Sequence, residues 1–166
     1  MGKTTNALER IIEHYQNRND KGLNKELTQL KEFHLDILGT LFKDENEQVY
    51  SEIGNLFDAL DERLSKDPTL NYDYDYDQII CFGEMLSTKI IAQYLNSSGV
   101  HTRWMDIRKS LKTDNTWREG RIDWDLSSTL TEKNFRFNGE RILITQGFLA
   151  STINDQTTSL GREGSD

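Results

Sequence analysis

The chain has 166 residues and carries 20 Lys and Arg against 28 Asp and Glu, a net charge of -8 at pH 7. That length corresponds to one domain able to bury about two-thirds of its unfolded surface, and the negative balance disfavours nucleic acid or an anionic membrane as the main partner. No apolar run nears the roughly 20 residues of a membrane span, Met1-Gly-Lys-Thr-Thr is unlike a signal peptide, and the single cysteine, Cys81, forbids an internal disulfide and suits a reducing cytoplasm.

The first half predicts helix after helix. Asn6 with Glu9 three residues on has the form of a capping pair, and Leu8, Ile11, Ile12 and Tyr15 then make one apolar stripe. Residues 17–24, with Gly22, are a polar break. Leu27, Leu30, His34, Ile37, Leu38 and Leu41 recur at helical spacing and predict a second helix. Val49, Ile53, Leu56, Phe57, Leu60 and Leu64 predict a third, stopped at Asp67-Pro68. Only a short turn near residues 43–45 separates these two, so they are expected to pack as an antiparallel hairpin over residues 24–66.

The acidic stretch at 71–77 (NYDYDYD) alternates tyrosine with aspartate. A strand is one reading; a solvated loop feeding the next helix is preferred, because aspartates disfavour strands and cap helices. The helix that follows is expected over residues 78–95, with Ile79, Phe82, Leu86 and Ile90 on one face and Asn96-Ser-Ser-Gly99 as its stop. After Gly99 the period changes. Residues 100–107 (VHTRWMDI) predict a strand, 121–124 a shorter one, 126–134 a helix, and 141–148 (RILITQGF) a near-continuous buried strand. Strands alternating with helices suggest a parallel sheet covered on both faces.

Residues 151–166 are polar and lack periodicity, and segments of that kind are usually functional or disordered. They end Gly161-Arg-Glu-Gly-Ser-Asp166, the chemistry of a turn that binds phosphate or carboxylate: glycines allow close approach, Arg offers a planar fork, and Ser or Asp caps a helix. No helix follows, and no strand precedes the capped start at Met1. Both ends therefore read as cut from a larger α/β unit. Gly2-Lys3-Thr4 has the look of a nucleotide-binding loop, but the upstream strand and glycine that such a loop needs are absent, so an ordinary helix start is preferred.

Four segments in order carry a family resemblance: Gly2-Lys-Thr-Thr-Asn6, Phe82-Gly-Glu-Met-Leu-Ser87, Trp104-Met-Asp-Ile-Arg-Lys109, and Ile144-Thr-Gln-Gly-Phe148 running on to Thr157-Thr-Ser-Leu-Gly-Arg-Glu-Gly-Ser-Asp166. In these the chain resembles the amino-terminal catalytic domain of aspartokinases, members of the amino-acid kinase superfamily. The resemblance implies a partial kinase domain over residues 1–166. It also implies an α/β fold, a three-layer αβα sandwich with a mainly parallel sheet and a helix-rich first half. The implied activity is ATP-dependent phosphorylation of the L-aspartate side-chain carboxylate to 4-phospho-L-aspartate, in lysine, threonine and methionine biosynthesis. Such a reaction joins two anions, so cancelling charge and holding groups in line dominate its catalysis.

Carried over by motif, Arg162 grips the substrate α-carboxylate and Glu84 receives its ammonium. Thr5, Gly164 and Ser165 contact the same substrate, and Asp166 is the catalytic aspartate. Glu163 stands where the family more often has glycine. ATP and Mg²⁺ are implied as cofactors, although the segments that hold most of the nucleotide lie beyond the resemblance, and the chain alone is expected to be inactive. L-aspartate and a second copy of the chain are the implied partners, in the cytoplasm. A non-catalytic module derived from such a kinase, or a related acyl-phosphate-forming kinase acting on glutamate, are the alternatives.

Other residues read more plainly. Asp106, Arg108 and Lys109 form a strand-end salt-bridge cluster in preference to a metal or phosphate site. His14, His34 and His101 show no metal-ligand spacing and read as surface or partly buried imidazoles. Cys81 reads as core, and Trp104, Trp117 and Trp124 as packing residues.

Overall fold

A computed structural model describes residues 3–44 and 48–161 of the chain. Helix α1 (Thr4–Gln16) buries Leu8, Ile11, Ile12 and Tyr15, the predicted stripe. It begins two residues earlier than the predicted cap: Lys3 stands at the N-cap without a side-chain bond, and Asn6 lies inside the helix, its carbonyl accepting from the Arg10 guanidinium. The polar break is also shorter than expected. Asn19 caps α2 (Asp20–Leu41) by accepting from the Gly22 amide at 3.1 Å. Helix α3 (Gln48–Leu64) buries Val49, Ile53, Phe57, Leu60 and Leu64.

The fourth helix, α4 (Tyr72–Ser97), is the spine of the molecule, about 39 Å long at 1.5 Å per residue. The acidic 71–77 stretch is its first turns and not the expected loop. Asn71 caps it, accepting from the Tyr74 amide at 3.0 Å. The two aspartates that face inward are fully buried because each finds donors from distant segments. Asp75 accepts from Arg63, from Gln16 Nε2 at 2.7 Å and from the Thr69 amide at 2.8 Å. At its far end Gly99, with φ of 81°, closes the helix.

One apolar core unites the four helices. Leu8, Ile11 and Ile12 of α1 meet Leu30 and Leu38 of α2, Ile53 and Leu60 of α3, and Ile79, Leu86 and Ile90 of α4. The main pairings are α1 on α2, α1 on α4, and α3 on α4. Helices α2 and α3 touch less than a hairpin implies, chiefly where Lys31 bridges to Asp61 at 2.6 Å and His34 packs its ring edge against Phe57. Helix α1 takes much of the contact that the short 43–45 connection suggested for α3.

His34 is fully buried, unlike the surface or partly buried imidazole the sequence suggested. Its Nδ1 lies 2.8 Å from the Leu30 carbonyl, which can only accept, so Nδ1 carries the proton. Nε2 has no partner among the described residues, and the rings of Phe33 and Phe57 flank it. Burial accordingly pushes the imidazole pKa below its ordinary 6.5. A group with a depressed basic pKa binds fewer protons folded than unfolded, so its stability contribution is complete above about pH 6.5 and is lost as pH falls below it. Urea unfolding as a function of pH checks this: stability declines on acidification below about pH 6.5, and His34→Leu removes that part of the slope.

Beyond α4 the chain builds two small sheets. Strands β1 (Thr102–Trp104) and β2 (Ile142–Ile144) pair in parallel, with Arg103 opposite Leu143. Strands β3 (Leu149–Ser151) and β4 (Thr157–Ser159) form an antiparallel hairpin, with Ala150 opposite Thr158. Between β1 and β2 lie a short 3₁₀ turn (Ile107–Lys109) and α5 (Trp124–Asn134). The result is a helix-rich α/β fold. Among the described residues one strand pair is parallel and the other antiparallel, where a mainly parallel sheet was expected.

Three strand expectations need correction. The near-continuous strand at 141–148 stops at Ile144, because Gln146 turns inward: it accepts from the Ile107 amide at 2.9 Å and donates to the Met105 carbonyl at 3.1 Å. Phe148 at φ 43° then redirects the chain into β3. At 121–124 only Ile122 pairs, in a single bridge to Thr113; Asp123 caps α5, which takes in Trp124. Trp124 is mostly exposed and is no packing residue. The unpatterned segment after 151 contains β4, whose three polar residues are all buried.

Candidate functional site

A cavity of about 760 Å³ opens where α1, α4 and the chain's last described turn converge. Asp73, Tyr76 and Ile80 enter it from successive turns of α4. Trp117, Arg118 and Glu119 come from the loop before α5, Phe148 from the approach to β3, Thr5 from α1, and Gly161 from just beyond β4.

Thr5 lies in the first turn of α1, so Thr4-Thr5-Asn6 of the first family motif is helical. Helix α4 passes close to this turn at Gly83. A Cβ there would lie 3.3 Å from Leu8 Cδ1 and 4.0 Å from Thr5 Oγ1, so the glycine sets how near the two helices come. Glu84 is the next residue. It is half-buried, does not line the cavity itself, and has no hydrogen-bond or ion-pair partner for its carboxylate among the described residues. The structure thus brings Thr5 to the cavity wall and Glu84 to within one residue of the same helix crossing.

Gly161, at φ 87°, lines the cavity and immediately precedes Arg162 in the sequence. Arg162, Glu163, Gly164, Ser165 and Asp166 lie outside the described residues.

Sequence reading missed Asp73, Tyr76 and Arg118. The Arg118 guanidinium lies 4.4 Å from the centre of the Tyr76 ring and 3.2 Å from Asp73, and its side chain is about half exposed. No motif marks Arg118; its only sequence signal is a cation in an acidic neighbourhood. Its backbone is left-handed, with φ of 68°, and its amide donates to Asp77 at 2.7 Å. Burial pushes the Asp77 carboxyl pKa up, against the hydrogen bonds from Ser159 and Arg118 that favour the ionised form.

The remaining chemistry-bearing residues are structural. Asp106 and Arg108 form the expected salt bridge at 2.7 Å after β1, and Arg108 continues to Thr157 Oγ1 at 2.9 Å. Burial opposes ionisation of Asp106, yet the Arg108 guanidinium outweighs it and holds the carboxyl below its usual range. Cys81 is core as expected, and burial pushes its thiol up to about 11, which removes thiolate reactivity near neutral pH. Trp104 packs as expected, donating to Thr88 Oγ1 at 2.9 Å beneath the Lys89 ammonium.

As a test for a metal-nucleotide, the described residues contain no cluster of three His, Cys, Asp or Glu suited to a metal ion. Arg118 is the one cationic side chain among the described residues lining the cavity. The described residues alone do not fit a triphosphate and its metal.

No family model matches the chain. Among curated proteins, the lysine-sensitive aspartokinase 3 of Escherichia coli is 32% identical over 130 residues, which are 76% of this chain and 27% of that protein. A chloroplastic bifunctional aspartokinase/homoserine dehydrogenase 2 of Arabidopsis thaliana is 27% identical over the whole chain, which covers 18% of it. Among solved structures, E. coli aspartokinase III in complex with aspartate and ADP superposes with a TM-score of 0.86 at 23% identity. That match covers 99% of this chain and 36% of the other, and it shows the fold. The aspartate kinase of Clostridium acetobutylicum superposes with a TM-score of 0.69 at 19% identity, over 98% of this chain and 32% of that one. The chain spans roughly a fifth to a quarter of the length of these two curated relatives. The sequence motifs, the cavity that joins two of them and these relatives agree: over its whole length the chain is similar to part of an aspartokinase.

Proposed function

We propose that the chain provides the aspartate-binding part of an ATP-dependent aspartate kinase, which phosphorylates the side-chain carboxylate of L-aspartate to 4-phospho-L-aspartate in lysine, threonine and methionine biosynthesis. The observation that carries this reading is that Thr5 and Gly161, which belong to the first and last family motifs, line one cavity, while Glu84 follows the helix crossing beside it. The E. coli relative was solved with aspartate and ADP, which supports the same ligand here.

In this reading Arg162, one residue beyond the cavity wall, forms a bidentate pair with the substrate α-carboxylate. Glu84 takes the ammonium at the other pole. Thr5, Gly164 and Ser165 hold the substrate by hydroxyl and backbone, and Asp166 serves the reacting end. The β1–β2 pair belongs, in a whole kinase, to a three-layer sandwich with a mainly parallel sheet. ATP with Mg²⁺ is the phosphoryl donor, the protein acts as a homodimer, and its setting is the cytoplasm. No helix of the described residues is long and apolar enough to cross a membrane.

These 166 residues bind aspartate but turn over no ATP by themselves, since Arg118 is the one described side chain on the cavity able to offset phosphoryl charge. Calorimetric titration tests the binding. L-aspartate binds saturably and more tightly than L-glutamate, and Arg162→Ala weakens binding by about a hundredfold, the loss of a charged bidentate pair. Silence with the wild-type chain overturns the reading, and so does a preference for glutamate. Aspartate-dependent ADP release by the 166 residues overturns the expected inactivity.

A further inference from the structure

Two loops far apart in sequence form one wall of the cavity, and a single carboxylate reaches both. Asp77, fully buried on α4, accepts from the Arg118 amide at 2.7 Å and the Ser159 amide at 3.0 Å through Oδ2, and from Ser159 Oγ at 2.6 Å through Oδ1. The loops also touch directly. Gly120 donates to the Ser159 carbonyl at 2.8 Å, and a Cβ on Gly161 would stand 3.5 Å from the Arg118 carbonyl.

Arg118 at φ 68° occupies a backbone region unfavourable for a residue with a Cβ. Such a conformation persists only when its surroundings over-determine it, and it marks positions where geometry is part of function. Here the surroundings are the amide bond to Asp77 and the guanidinium stacked on Tyr76.

We propose that Asp77 is the positioning residue of this cavity. Its carboxylate locks the 117–119 loop to the segment from Ser159 to Gly161 in one mutual geometry, so that Arg118 stays over Tyr76 and Gly161 stays on the cavity wall. That the cavity takes L-aspartate rests on the function proposed above; the lock does not. A carboxylate suits the task because three donors converge on it. An asparagine has one acceptor oxygen and turns an NH₂ group toward one of those donors.

Three variants and three readouts test this. Asp77→Asn is expected to weaken L-aspartate binding about tenfold, on the scale of one hydrogen bond to a charged group, and to speed hydrogen exchange at the Arg118 and Ser159 amides together. Asp75→Asn, a buried carboxylate on the same helix that stays clear of the cavity, is expected to lower the thermal midpoint while leaving the affinity unchanged. Equal loss of affinity in both variants, or faster exchange at only one of the two amides, overturns the proposal. If the wild-type chain binds no L-aspartate, the function reading fails and the exchange data alone decide the lock. Should Asp77→Asn not fold, Ser159→Ala removes only the hydroxyl bond; faster exchange at the Arg118 amide supports the lock, and no change there overturns it.

Discussion

Replacing Asp75 by alanine is expected to destabilise the fold by about 3–5 kcal/mol, the cost of breaking a buried ion pair from one side. Asp75 is fully buried, and its partner Arg63 is only 14% exposed. The variant leaves that guanidinium in an apolar setting with the Tyr15 hydroxyl, 2.7 Å away, as a neutral substitute. It also strands Gln16 Nε2, at the opposite end of α1 from Thr5, and the Thr69 amide. Urea unfolding measures the loss, and a thermal midpoint lower by roughly 10 °C accompanies it. Replacing both partners with apolar residues, Arg63→Met with Asp75→Leu, costs much less, because no charge is left without its counter-ion. A double variant as unstable as Asp75→Ala refutes this account of the pair.

Leu8→Ala carries the second large effect, about 2–5 kcal/mol from lost burial and the cavity it leaves. Leu8 is fully buried where α1 crosses α4, and its Cδ1 is the atom nearest to a Cβ built on Gly83. Thr5 stands on the turn just before it and Glu84 on the residue just after Gly83, so the same truncation lets the two proposed substrate contacts shift. Leu8→Ala therefore loses both unfolding free energy and L-aspartate affinity. Leu38→Ala, equally buried but on α2, loses stability alone. Equal effects of the two variants on affinity contradict the link between this crossing and the site.

The helices were legible because their burial is periodic. Leu8, Ile11, Ile12 and Tyr15 announce one face of α1, and Val49, Ile53, Phe57, Leu60 and Leu64 one face of α3. The first turns of α4 were not. Asp75 and Asp77 look like solvated residues until Arg63, Gln16, Arg118 and Ser159 come to them from 12, 59, 41 and 82 positions away. No local pattern encodes such partners. The β3–β4 hairpin escaped for a related reason. Thr157, Thr158 and Ser159 are polar yet buried, satisfied across the fold by contacts such as the 2.6 Å hydroxyl pair between Thr158 and Thr113.

The site divided in the same way. Thr5 and Glu84 were found through motifs, and the structure places both at the α1–α4 crossing. Asp73, Tyr76 and Arg118 belong to no motif and become neighbours only when α4 meets the 117–119 loop. Arg118 is held there by its backbone amide as well as by its guanidinium, and a reading by residue type cannot detect the backbone bond.

The most direct test of the account is an amide-resolved NMR titration of the chain with L-aspartate. The account predicts saturable shift changes at Thr5, Glu84, Gly161 and the residues after it, with the α2–α3 contact around Lys31 and Phe57 unmoved. Shifts clustered instead at that α2–α3 contact, or none at any concentration, contradict it.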